Sequence, residues 1–99
     1  MELHPTDAVE REMMLVTVKA TAEARSQITE LAAIFEAKID DVGYDALTIM
    51  VAGAPSKLDA MSDLLQPFGI VELQRTGRIA LPKLARERTK LRAVKDRGA

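Results

Sequence analysis

A chain of 99 residues suffices for one domain and is short for two. Its 47% apolar and 29% charged residues describe a globular chain, no apolar run nears the roughly 18 residues of a membrane-spanning helix, and the lack of cysteine removes disulfides, thiol nucleophiles and Cys-ligated metals. The net charge of −1 hides an asymmetry: residues 1–74 carry 5 Lys and Arg against 13 Asp and Glu, while residues 75–99 carry 9 against 2.

The N-terminal residues MELHPTDAVEREMM are polar and acidic, without the apolar core of a secretory signal. Residues 1–11 read as a polar leader, and the chain as a cytoplasmic protein. Met13-Met14-Leu15-Val16-Thr17-Val18 then has the length and β-branched content of a buried strand. Thr21 is placed to cap a helix, with Glu23 favouring the positive end of its dipole. Ala24, Ile28, Leu31, Ala32 and Phe35 recur at spacings of three and four, which predicts an amphipathic helix ending near Ala37.

Lys38 to Val42 forms a short second strand, and Gly43-Tyr44-Asp45 supplies turn residues. Ala46 to Ala52 alternates as a third strand, closed by Gly53. Pro55 and Ser56 open a second helix, Pro suiting its first turn and Ser its cap. The stripe of that helix is Leu58, Met61, Leu64, Leu65 and Phe68. Ile70 to Arg75 makes the last strand, closed by Thr76-Gly77. Residues 82–99 read as a basic, partly helical extension.

The order is β-α-β-β-α-β. Right-handed helical crossovers and one tight turn fold such a chain as a four-stranded antiparallel sheet with two helices on one face. The class is α+β, ferredoxin-like. Met14, Val16, Val18, Leu47, Ile49 and Val51 then face the helices. Met13, Leu15, Thr17, Thr48, Met50 and Ala52 fall on the opposite face, which a solvated sheet would fill with polar residues. An apolar cluster on the two central strands marks an interface. A homo-oligomer or another partner is expected to cover it.

Residues able to run a reaction are few. His4 is the only histidine, and it lies in the leader. Asp40 and Asp41 suggest general acid/base work or an Mg²⁺ site, but adjacent strand residues diverge, and edge charge that deters sheet-to-sheet pairing explains them more simply. Ser56 and Ser62 have no base nearby, and neither phosphate-cradling glycine motif is present. No catalytic, metal-binding or cofactor-binding residue is assigned. The basic residues Arg75, Arg78, Lys83, Arg86, Arg88, Lys90, Arg92, Lys95 and Arg97 have no interleaved aromatic for base stacking. Attraction to an acidic body or partner accounts for them better than nucleic-acid binding does.

Placed in order, several stretches carry a resemblance. They are Leu15-Val16-Thr17-Val18-Lys19-Ala20, Ile34-Phe35-Glu36-Ala37-Lys38-Ile39-Asp40-Asp41-Val42, Leu47-Thr48-Ile49-Met50-Val51-Ala52-Gly53 and Lys57-Leu58-Asp59-Ala60. The closing run is Gly69-Ile70-Val71-Glu72-Leu73-Gln74-Arg75-Thr76-Gly77-Arg78-Ile79-Ala80-Leu81. From about Glu10 to Leu81 the chain resembles the C-terminal domain of the small, regulatory subunit of acetolactate synthase. The resemblance implies an ACT-like domain over residues 12–81, with no catalytic residues of its own. It also implies a large catalytic subunit as partner, using thiamine diphosphate, Mg²⁺ and often FAD, whose activity the small subunit raises. The pathway leads to valine, leucine and isoleucine, with feedback inhibition chiefly by valine.

The family's small subunit normally opens with another ACT domain that forms the valine site. Here the first-strand motif starts within fifteen residues of Met1, so no valine-site residue is carried over, and a fragment or a stand-alone C-terminal half is expected. A stand-alone ACT-like amino-acid sensor or oligomerisation module is the alternative reading. Contacts are expected at Met13, Leu15, Thr17, Thr48 and Met50, and in the turn formed by Gln74, Arg75 and Arg78.

Overall fold

The computed structural model describes residues 8–85. Its elements are β1 (Ala8–Lys19), α1 (Ala22–Ile34), β2 (Lys38–Val42), β3 (Ala46–Gly53), α2 (Pro55–Leu65), β4 (Ile70–Arg75) and β5 (Ile79–Pro82), with a 3-10 turn at Gln66–Phe68. The sheet runs β2-β3-β1-β4 with every neighbouring pair antiparallel, the expected ferredoxin-like order.

The core forms where the period-two pattern of the sheet meets the helical stripes. Met14, Val16 and Val18 of β1 and Leu47, Ile49 and Val51 of β3 are buried against Ile28 and Ala32 of α1 and Leu58, Met61 and Leu65 of α2. Each fully buried Leu, Ile or Met contributes roughly 1.5–3 kcal/mol relative to exposure. Leu31, Phe35, Phe68, Ile70 and Leu73 close the margin. Leu64, expected within the α2 stripe, is exposed at its flank.

The helix ends refine the sequence reading. The Thr21 hydroxyl accepts from the Ala24 N–H at 3.3 Å, capping α1 as expected. The helix stops at Ile34, three residues early. Glu36 adopts φ 54°, and the Glu36 and Ala37 amides donate to the Ala33 and Ala32 carbonyls at 3.1 and 2.7 Å. This pair of bonds satisfies the last carbonyls through a left-handed residue. At α2, Ala54 occupies the cap without a side-chain bond, so Ser56 lies inside the first turn and does not cap.

Two differences bear on function. β1 starts at Ala8, so residues 8–11 of the expected leader are strand. They pair with β5, a fifth strand absent from the sequence reading, in the register Ala8↔Pro82 to Arg11↔Ile79. Glu10, Arg11 and Glu12 together look like a polar linker; as strand, Glu10 and Glu12 turn toward the helix side, where cations meet them. Pro82 belongs to β5, so the extension expected from that residue begins in strand; residues 86–99, like 1–7 with His4, lie outside the described residues.

Candidate functional site

Burial alternates without a break along the twelve residues of β1, so its odd-numbered side chains share the face away from the helices. Pairing registers extend that face into rows. Lys38 opposes Met50, Met50 opposes Leu15, and Leu15 opposes Gln74. The next row holds Asp41, Thr48, Thr17 and Glu72. Toward the other end lie Met13 with Ala52, then Arg11 with Ile79, then Val9 with Leu81.

The centre of this face is apolar and accessible: Met13 is 39% and Leu15 40% exposed. The Thr17 and Thr48 hydroxyls lie 2.8 Å apart, satisfying each other across the strands. The sheet therefore places Met13, Leu15, Thr17, Thr48, Met50 and Gln74 on one surface, as the residue pattern implies.

Arg75 is not among them. It points to the helix side, where its guanidinium donates to both Glu12 carboxylate oxygens, at 2.6 and 3.1 Å, and to Asp59 of α2 at 2.6 Å. The Gly77 N–H also donates to Glu12 at 3.1 Å. The hydrogen bonds from Arg75 outweigh desolvation and hold the Glu12 carboxyl below the usual carboxylate range. The same bonds, first from Glu12 and then from Asp59, raise the Arg75 pKa. Arg75 thus fastens β1, β4 and α2 together. Arg78 is largely exposed, with a long 3.9 Å approach to Glu10.

Sequence reasoning missed two parts of the site. One is Glu12, whose partner lies 63 positions away and leaves no local signal. The other is a groove of about 580 Å³ along the β1–β5 ribbon, lined by Val9, Arg11, Ile79, Leu81, Pro82 and Leu84. Ile79 and Leu81 are both 74% exposed. Continuing the β1 alternation back through Arg11 and Val9 would have found it.

Asp40 falls at a bulge between Ile39 and Asp41 in the β2–β3 pairing, and the Asp41 carboxylate accepts from the Val42 N–H at 3.0 Å. Among the described residues no group of three or more His, Asp or Glu side chains is arranged to hold a metal, and no helix is long and apolar enough to cross a membrane.

A split βαβ sheet with helices on one face, an accessible apolar surface on the other, and Arg75 tying β1, β4 and α2 defines a ferredoxin-like module. The family described as the small subunit of acetolactate synthase matches residues 11–84, and the chain belongs to that family. It is 46% identical over 74 residues to a probable acetolactate synthase small subunit of Archaeoglobus fulgidus, covering 75% of this chain and 46% of that protein. A probable small subunit of Methanothermobacter thermautotrophicus is 44% identical over 86 residues, covering 86% of this chain and 51% of that protein. The crystal structure of the Thermotoga maritima small subunit superposes with a TM-score of 0.77 at 35% identity, covering 86% of this chain and 52% of that one. The chain thus spans about half the length of these relatives. Family membership assigns it to the small subunit, and the enzyme's cofactors belong to the catalytic subunit.

Proposed function

We propose that the chain is a non-catalytic regulatory module of acetolactate synthase that binds the thiamine-diphosphate-dependent catalytic subunit and raises its activity in branched-chain amino acid biosynthesis. The observation that carries this reading is the uncovered apolar face, centred on Met13, Leu15 and Met50, in a chain that matches the small-subunit family over residues 11–84. A domain without chemistry alters a partner's rate only by binding its conformational states unequally, so surface burial is its means of action. Self-association accompanies this role, in a cytoplasmic setting.

The test is to add the purified chain to the catalytic subunit and follow acetolactate formation. A stable complex and a raised rate are expected. An unchanged rate with no complex overturns the reading.

A further inference from the structure

We propose that the β2–β3 hairpin tip, Gly43 to Asp45, is the module's contact with the catalytic subunit: Tyr44 enters an apolar pocket of that subunit, and the flanking carboxylates meet cations on the pocket's rim. The proposal rests on the partnership read above and gives it a surface separate from the open face.

Tyr44 is fully exposed. The chain has one tyrosine, two phenylalanines and no tryptophan. Phe35 and Phe68 pack against the core, which leaves Tyr44 as the aromatic presented to a partner. Val42 before it is 60% exposed and widens the apolar patch. Scattered exposed apolar residues are ordinary, and what separates this one is how its backbone is held.

Every carbonyl of the turn is occupied. The Arg25 guanidinium donates to the Gly43 carbonyl and, at 2.6 Å, to that of Tyr44. The Ala20 N–H donates to the Asp45 carbonyl at 2.8 Å, and the Gly43 N–H closes the turn on the Ala46 carbonyl, also at 2.8 Å. These tethers come from α1 and the residues leading into it, so the tip is fixed from the helix layer. A loop ordered before binding has no such freedom left to lose on association. Tyrosine then adds a large contact area for few side-chain torsions, which is why it recurs at the centres of interfaces.

Charge defines the partner. The run from Asp40 to Asp45 is exposed throughout and includes Asp41. Among the described residues none of its carboxylates is ion-paired, and Arg25, the cation that reaches the turn, is engaged by carbonyl oxygens. Uncompensated carboxylates repel phosphate surfaces, which excludes nucleic acid and anionic lipid as occupants. They suit a protein pocket with an apolar floor and a rim of Lys or Arg, and a guanidinium set over the Tyr44 ring adds a further attraction.

The test is titration calorimetry of the full 99-residue chain with the purified catalytic subunit, folding being checked by circular dichroism. Tyr44→Ala should weaken the complex about thirtyfold, as loss of a central anchor does, while Tyr44→Phe should stay within about threefold of native. Asp40→Asn combined with Asp45→Asn should flatten the salt dependence of binding between about 0.05 and 0.5 M. A complex that Tyr44→Ala leaves intact overturns the proposal while the enzyme partnership stands. A Tyr44→Ala chain that keeps the complex but loses self-association also overturns it, and makes the tip a contact between copies. No complex with the native chain overturns the partnership and the proposal together.

Discussion

Glu12 and Arg75 meet across the β1–β4 ladder with two hydrogen bonds, 2.6 and 3.1 Å, joining residues 63 positions apart. Asp59 adds α2 to the pair at 2.6 Å, and the Gly77 amide adds the start of the β4–β5 connection. Strand and helix are thereby tied at one guanidinium, and the start of the ribbon at the carboxylate it binds. Because the Glu12 carboxyl ionises below its ordinary value of 4.5 in the folded chain, the unfolded chain takes up this proton first as pH falls. The stability from Glu12 is complete above that value and is lost as pH drops through the lowered one. Glu12→Gln should therefore unfold at lower urea than the native chain at pH 7, and the gap should narrow from about pH 5 downward. A gap constant with pH would show that the carboxylate charge contributes nothing.

Glu36 holds a left-handed backbone, φ 54°, at the end of α1. Such a conformation costs a residue with a β-carbon roughly 1–2 kcal/mol, and glycine adopts it freely. Glu36→Gly should stabilise the chain by about 1 kcal/mol in a denaturant titration, an unusual sign for a substitution to glycine.

Leu58 is fully buried between α2 and the sheet. Leu58→Ala should cost roughly 2–5 kcal/mol, the range for emptying a packed core site. Thermal melts measure it directly, and a loss below 1 kcal/mol would contradict the packing described.

Leu15 and Met50 face each other on the open surface without supporting the core. Leu15→Asp combined with Met50→Asp should leave a folded monomer in light scattering, with its unfolding midpoint nearly unchanged. Collapse of the fold, or persistence of the native assembly, would show that this face does another job.

The elements were legible wherever side-chain period and local chemistry agreed. Ile28 and Ala32 announce α1, the alternation of Leu47, Ile49 and Val51 announces β3, and the Thr21 cap is readable from its position alone. Those patterns suffice for the sheet order and for the membership of its open face. The remainder depended on contacts that the sequence does not localise. Glu10 and Glu12 look solvated until Arg78 and Arg75 arrive from the far end of the chain. Arg75 therefore reads as an interface cation, whereas in the fold its guanidinium bridges β1, β4 and α2. Ile79 to Pro82 is too short to read as a strand without its register on β1.

The bulge at Asp40 has a consequence for assembly. Filament growth by edge addition needs two compatible borders, so that each new subunit leaves a free one behind. The outer border of β2 is short, kinked between Ile39 and Asp41, and lined with carboxylates. Stacking β2 of one copy on β4 of another is thereby disfavoured, and the β2 border offers no ready template for edge-to-edge growth.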